Sequence, residues 1–215
     1  MRLKQTGIFQ GRVQVVYSYG RYGWTRRGGK TWHGGIDLVA LDDKTVRMPF
    51  YKGKKITGTV TRARIVYNRA DKTWEWGWYV CVQLDANQTP DAVNFLYFCH
   101  CAALLVSAGQ KVSSGDALGI MGQTGNAANG YDHTHLEARA TATGTGVDPT
   151  EYAGCANAVG IYGSAEEDKP AEDTSQSKLQ IITIGPVSQG DANAVLAVCK
   201  ERGLTDAGLY KSEWA

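Results

Sequence analysis

Short stretches of apolar residues, separated by polar turns, run through the first three quarters of the chain. Within them, β-branched and aromatic residues alternate loosely with polar ones, and turn-forming runs such as Asp85-Ala86-Asn87 follow. Period-two alternation with frequent turns is typical of short antiparallel strands. We predict strands within residues 8–18, 36–40, 57–60, 74–84, 94–101 and 133–138. The pattern therefore predicts a mainly β domain built on an antiparallel sheet.

The pattern changes near residue 163. Residues 164–178 are rich in acidic residues and contain almost nothing apolar, which is typical of a flexible linker. Beyond it, strand patterns at 179–184 and 208–214 flank a helical period at 191–202 that ends before Gly203. We predict a domain at 1–163, a linker at 164–178 and a small β-α-β module at 179–215.

Charge and hydropathy exclude some partners. Residues 1–163 carry 18 Lys and Arg against 12 Asp and Glu, but these are scattered, without a basic helix or an RNP-like run. We therefore expect no nucleic-acid partner. No apolar run is long enough to cross a membrane, and residues 1–9 lack the apolar segment of a cleaved signal peptide. The expected location is the cytoplasm of the producing cell, before release to the site of action.

The five cysteines do not follow the spacing of a small disulfide scaffold. Cys99 and Cys101 lie two residues apart in a predicted strand, so a Cys-x-Cys zinc site would need two further soft ligands nearby. The sequence offers none at a suitable position. We interpret the cysteines as small buried thiols.

The four histidines concentrate the candidate chemistry. His133 and His135 are two apart in a predicted strand, so both side chains leave the same face. One can ligate a metal while the other carries protons beside it. His33 and Asp37 flank Gly34-Gly35 and can converge if the glycines fold the chain back. A His-Asp-His set with one open position suits a catalytic zinc, which lowers the pKa of water and polarises a carbonyl.

These motifs resemble those of the lysostaphin/LytM-type zinc metallopeptidases, which cut bacterial peptidoglycan. The resemblance spans about residues 13–137, and its segments occur in the family's order. They are His33-Gly34-Gly35-Ile36-Asp37, Tyr97-Phe98-Cys99-His100, the glycines from Gly115 to Gly125, and His133-Thr134-His135-Leu136-Glu137. The chain departs from the pattern at Thr134 and in a longer loop before His133. Asp132 in that loop is either a hydrogen-bond partner of a neighbouring histidine or an ordinary turn residue.

The resemblance implies a role for each matching residue. His33, Asp37 and His135 would bind Zn²⁺, and His100 and His133 would form the catalytic pair. One of the pair would take a proton from the attacking water, and the other would support the tetrahedral intermediate or protonate the leaving amine. Two aromatic residues near the motifs are candidates for substrate contact. They are Tyr131 and Trp24.

We therefore predict a zinc-dependent endopeptidase that hydrolyses stem-peptide or cross-bridge amide bonds of peptidoglycan. The favoured setting is a phage lysin, and the second is a bacterial autolysin exported without a cleaved signal. Residues 179–215 would bind the cell wall or form a homodimer. Two alternatives stay open. One is a catalytically inactive relative that binds the wall or regulates another enzyme, and the other is an interaction protein with incidental histidines. Neither the bond that is cut nor the host follows from the sequence.

Overall fold

The computed structural model describes residues 3–90, 92–166 and 188–201. The chain divides into two compact units, Met1–Asp168 and Lys169–Ala215. The strands of the first unit are β1 (Gln5–Thr6), β2 (Phe9–Gln10), β3 (Val13–Val15), β4 (Gly23–Arg26), β5 (Thr31–His33), β6 (Ile36–Ala40), β7 (Thr45–Arg47), β8 (Thr57–Arg64), β9 (Tyr79–Leu84), β10 (Phe95–Cys99), β11 (Ala103–Leu104), β12 (Lys111–Ser113), β13 (Ala117–Ile120), β14 (Thr134–Arg139), β15 (Gly146–Val147) and β16 (Gly160–Tyr162). The helices are α1 (Thr150–Ala153) in the first unit and α2 (Gln189–Glu201) in the second.

A nine-stranded sheet organises the first unit. Its strands follow the order β12-β8-β9-β10-β14-β6-β3-β16, and β15 pairs with β14. Each pairing in this sheet is antiparallel. A smaller sheet, β11-β13-β7, and two two-stranded hairpins complete the unit. The predicted mainly β, antiparallel fold is confirmed.

The central strands are buried on both faces. Alternate residues of a strand point to opposite faces, so Val80 and Val82 of β9 join the main apolar core, while Tyr79 and Cys81 join a second cluster. The half-buried side chains of Trp74, Trp76 and Phe95 pack against that second cluster. Three cysteines are fully buried, as the sequence predicted. They are Cys81, Cys99 and Cys101.

Three predicted strands are shorter than the apolar pattern suggested. The strand predicted at 94–101 ends at Cys99, so His100 lies just after β10 and not within it. Residues 8–18 divide into β2 and β3, because Gly11 between them adopts a φ of +82°. The predicted strand at 74–84 begins only at Tyr79, since Trp74–Trp76 form a 3-10 turn. Gly77 ends that turn with a φ of +63°, and a Cβ there would lie 2.5 Å from the backbone nitrogen of Gly125. These glycines interrupt the extended conformation that the neighbouring side chains favour.

The second unit is described only through α2. This helix begins at Gln189, two residues before the predicted start, and Ser188 precedes it. The Asp191 backbone N–H donates to Ser188 Oγ at 3.2 Å, which caps the helix start. The predicted strands at 179–184 and 208–214, and most of the predicted linker, lie outside the described residues. Among the helices described, none has the length and apolar character needed to span a membrane.

Candidate metal centre and groove

Strand register brings Asp37 and His135 together. Asp37 of β6 pairs directly with His135 of β14, which pairs on its other side with Cys99 of β10. Residues directly opposite in an antiparallel pair have neighbouring side chains on one face. Asp37 Oδ1 accordingly lies 2.9 Å from His135 Nδ1. Two residues that are 98 positions apart in sequence thus form one side of the candidate site.

His33 reaches the same point through the turn between β5 and β6. Its Nε2 lies 3.3 Å from Asp37 Oδ1 and 2.9 Å from His135 Nδ1. A Cβ on Gly35 would lie 2.3 Å from the carbonyl oxygen of Leu136 and 2.7 Å from His135 Cε1. Only glycine lets the turn cross β14 this closely. His33, Asp37 and His135 each offer a ligand atom within 4.8 Å of the others, and all three residues are buried.

In His33 and His135, the hydrogen bond made by one ring nitrogen determines that the other nitrogen faces the cluster. His33 Nδ1 donates to the carbonyl oxygen of Arg21 at 2.8 Å, so its Nε2 presents a lone pair. His135 donates from Nε2 to Glu137 Oε1 at 2.8 Å, which leaves Nδ1 towards Asp37 and His33. Glu137 in turn forms an ion pair with Arg139. Such outer partners orient metal-binding histidines and raise their basicity.

The charges of the cluster are strongly perturbed. Burial opposes ionisation of Asp37, yet the hydrogen bond from His135 holds the pKa of its carboxyl well below the usual range. Burial also opposes the charged form of His135, but Asp37 and Glu137 outweigh it and raise the pKa of His135 to about 9. The cluster therefore combines one fixed carboxylate with an imidazole that holds a proton strongly.

His100 and His133 lie beside the cluster, and each ring is held through Nδ1 by a backbone carbonyl. His133 Nδ1 donates to the carbonyl of Tyr131 and His100 Nδ1 to that of Thr124, each at 2.9 Å. The two ring centroids are 4.9 Å apart. Burial lowers the pKa of both rings, that of His100 to about 3. Near neutral pH each ring is therefore a neutral base whose Nε2 is available for a proton.

A strained backbone position carries His100. Strand β10 ends at Cys99, and His100 adopts a φ of +68° in the left-handed region. Its backbone N–H donates to the carbonyl of Trp76 at 2.9 Å, while Thr124 Oγ1 accepts the Trp78 N–H at 2.9 Å. These contacts fix the end of β10 against two loops. A non-glycine residue in this region costs of order 1–3 kcal/mol and is found most often at functional sites.

All five residues predicted to bind the metal or to form the catalytic pair line an open groove of about 560 Å³. Tyr131 lines it, with its ring stacked on His133 at 4.6 Å between centroids. Trp24 does not line it: this side chain is 64% exposed and packs edge-on against Trp32, which does line the groove. Tyr131 therefore lines the groove, whereas Trp24 lies outside it and contacts the lining residue Trp32.

Two residues at this centre, Glu137 and Arg26, had no predicted role. Glu137 bonds to His135, and the period-two spacing from His135 was the signal that could have shown it. Arg26 Nη2 lies 2.8 Å from His33 Nε2 and 3.1 Å from Asp37 Oδ2, and no spacing in the sequence indicates this. Asp132 contacts Lys44 at 2.7 Å and Gln123 at 3.1 Å, which fits the ordinary turn residue.

A sequence model of Peptidase family M23 matches residues 32–149. Comparison with curated proteins gave no match. Among solved structures, the catalytic domain of lysostaphin from Staphylococcus simulans is similar at 20% identity and TM-score 0.44, over 65% of this chain and 90% of that one.

Two further solved structures are similar at comparable levels. One is a variant of the catalytic domain of the prophage-encoded M23 protein EnpA from Enterococcus faecalis, at 19% identity and TM-score 0.45, over 60% of this chain and 85% of that one. The other is a zinc-containing peptidase from Vibrio cholerae, at 20% identity and TM-score 0.38, over 61% of this chain and 32% of that one.

Proposed function

Because the chain belongs to Peptidase family M23, as the resemblance to lysostaphin/LytM-type enzymes predicted, we propose that it is a zinc-dependent endopeptidase of bacterial peptidoglycan. It would hydrolyse an amide bond of the stem peptide or cross-bridge. One observation carries this proposal. Three buried donor atoms converge at one end of a groove, beside two neutral histidines that are not part of the donor set.

The donor set suits zinc. Two imidazole nitrogens and one carboxylate oxygen form a three-residue site of the kind found in catalytic zinc enzymes. Both rings are already turned by outer hydrogen bonds so that a lone pair faces the cluster, once the proton of His135 Nδ1 is displaced. Zinc bound by His33, Asp37 and His135 would supply Lewis-acid polarisation of the scissile carbonyl and of water.

His133 and His100 provide the proton transfers. Each is neutral and tied through Nδ1 to a backbone carbonyl, so Nε2 is the nitrogen that accepts a proton from water. The same nitrogen, once protonated, can stabilise negative charge on the tetrahedral intermediate or protonate the leaving amine. Tyr131 stacks on His133 and restricts its ring to this orientation.

Metal content and wall hydrolysis together test the proposal. The purified protein should contain about one zinc per chain and release new amino groups from peptidoglycan. His133→Ala should keep its zinc and lose hydrolysis, whereas His135→Ala should lose both. Unchanged hydrolysis by His133→Ala would remove this residue from the mechanism.

An inactive relative is the second candidate function. All five positions of the proposed site are filled with metal-binding or proton-transferring residues, which favours the enzyme. An inactive protein would bind peptidoglycan sacculi without releasing amino groups, even after zinc is added. The same assay therefore separates the two functions.

The finer predictions from the sequence stay predictions. These are the phage-lysin setting, with its location before release, and wall binding or homodimerisation through residues 179–215. Mass measurement of the intact protein in solution tests the dimer, and mass spectrometry of fragments from defined peptidoglycans identifies the bond that is cut.

A further inference from the structure

The β4–β5 hairpin places two arginines, Arg26 and Arg27, in the wall of the groove. We propose that they form a subsite for a carboxylate, so that the preferred substrate is a peptide with a free carboxylate next to the scissile amide. This inference rests on the proposed peptidase function and narrows its substrate class.

The contact between Arg26 and His33 cannot persist when His33 binds a metal. Arg26 Nη2 donates to His33 Nε2 at 2.8 Å. Because His33 Nδ1 donates to the carbonyl of Arg21, Nε2 holds the one lone pair that the ring offers in its plane. A metal at His33 needs the same lone pair. Metal binding therefore releases the guanidinium from His33.

Asp37 keeps the released guanidinium at the centre. Its Oδ2 accepts from Arg26 Nη2 at 3.1 Å, while Oδ1 faces His33 and His135. One carboxylate oxygen can thus serve a metal while the other holds Arg26. A guanidinium has five N–H donors, and among the described residues the hydrogen bonds of Arg26 run through Nη2, while Nε is buried without a partner, so Nη1 is the group left to face the groove. Donors therefore remain for an anion that enters the groove.

Arg27 adds a second positive charge at the same wall. Its backbone φ of +50° is in the left-handed region, directly after Arg26 at the end of β4. Within residues 3–90, 92–166 and 188–201, no ion pair or hydrogen bond engages its guanidinium. Two guanidinium groups that line one groove suit a carboxylate, whose oxygens accept two hydrogen bonds.

The rest of the groove directs an anion towards this wall. Glu75, from the turn Trp74–Trp76, lines another part of it with an exposed carboxylate. Glu137 also lines the groove, but Arg139 and His135 already engage it. Like charges disfavour a substrate carboxylate beside Glu75, so electrostatic complementarity sets the orientation in which a charged peptide binds.

This arrangement separates two kinds of cross-link. The internal amides of a glycine bridge have no carboxylate beside them. A cross-link through an amino acid that retains a free α-carboxylate has one next to the scissile amide. The arginine wall favours the second kind.

The test uses two synthetic peptides that differ at one group, a free carboxylate or its carboxamide next to the scissile amide. The zinc-loaded wild-type protein should cleave the carboxylate peptide with a kcat/KM at least about tenfold higher, mainly through KM, as expected for charged hydrogen bonds. Arg27→Met should lower this ratio several-fold, leaving the part that Arg26 supports, and Arg27→Lys should restore part of the loss. Lys30→Met, a charge change in the same hairpin outside the groove lining, should leave the ratio unchanged.

Binding provides a readout without turnover. In the His133→Ala protein, fluorescence anisotropy should show the same preference for the carboxylate peptide, and the double variant with Arg27→Met should show a smaller one. Equal cleavage and equal binding of the two peptides by proteins with Arg27 would overturn the subsite and leave the proposed function intact. Failure to cleave either peptide, together with failure to hydrolyse peptidoglycan, would overturn the proposed function and this inference with it.

Discussion

Replacing Glu137 by glutamine should weaken zinc binding without altering a single proposed ligand. Glu137 is buried, and its Oε1 accepts a hydrogen bond from His135 Nε2 at 2.8 Å. The carboxylate makes His135 more basic and holds its Nδ1 towards Asp37. Glutamine keeps the size and one acceptor but removes the charge, so this substitution isolates the electrostatic support of one ligand.

Two effects determine how much zinc affinity Glu137→Gln should lose. A lone carboxylate about 7 Å from a dication would contribute about 5 kcal/mol at an effective dielectric constant of 20. Arg139 pairs with the same carboxylate and cancels most of that field. The weaker hydrogen bond to His135 therefore decides the result, and substitutions of this kind weaken metal affinity by about 10–100-fold. That range corresponds to about 1.4–2.7 kcal/mol.

Competition with a chelator of known zinc affinity measures this change. Glu75→Gln is the matched control, because Glu75 lines the same groove but contacts none of the three ligands. Circular dichroism verifies that both variants fold. If Glu137→Gln and Glu75→Gln bind zinc equally, then Glu137 does not support His135, and the reasoning from the outer hydrogen bond is wrong.

Three further predictions concern the same centre. Arg26→Met should raise zinc affinity about tenfold in chelator competition, because it frees the His33 lone pair from a charged donor, while Arg27→Met should change the affinity less. A lower zinc affinity in Arg26→Met would show instead that Arg26 supports Asp37. The zinc affinity of the wild type should rise about tenfold per pH unit between pH 6 and 8, because zinc binding releases one proton from His135, whose pKa is about 9. An affinity that does not change with pH would contradict a protonated His135 in the metal-free protein. Gly35→Ala should lower the free energy of unfolding by about 1–3 kcal/mol in thermal or urea unfolding, since its Cβ would lie 2.3 Å from the Leu136 carbonyl oxygen. Gly34→Ala should be tolerated, because its nearest neighbour lies 3.7 Å away, and equal losses in the two variants would rule out the close crossing as the cause.

Periodicity predicted the parts of the fold in which side-chain pattern and backbone conformation agree. The bounds of β6 match the predicted 36–40, and the strand that bears His135 was also expected, although it begins at Thr134, one residue after His133. Trp74–Trp76 has the aromatic character of a strand, but Gly77 and its contact with Gly125 bend the chain away. That contact joins residues 48 positions apart, so no local pattern contains it.

The proposed ligand set could be inferred from motif order, but Arg26, which contacts two of its members, could not. Arg26 reaches Asp37 through the curvature of the β4–β5 hairpin, in which the register shifts between Trp24 and Arg26. A bulge of this kind re-aims a side chain. Its position depends on the pairing of the two strands, which the sequence of the Gly- and Arg-rich loop does not specify.

The different positions of His133 and His135 follow from their hydrogen bonds rather than from their spacing. Both side chains leave one face of the chain, yet they present opposite ring nitrogens. Glu137, two residues further along, holds His135 by Nε2 and leaves Nδ1 for the cluster. The carbonyl of Tyr131, two residues earlier, holds His133 by Nδ1 and leaves Nε2, which stays 3.9 Å from Asp37 Oδ1. Exchanging these outer partners would exchange the roles, so the residues that flank the histidine pair determine which ring faces the metal and which is left to carry protons.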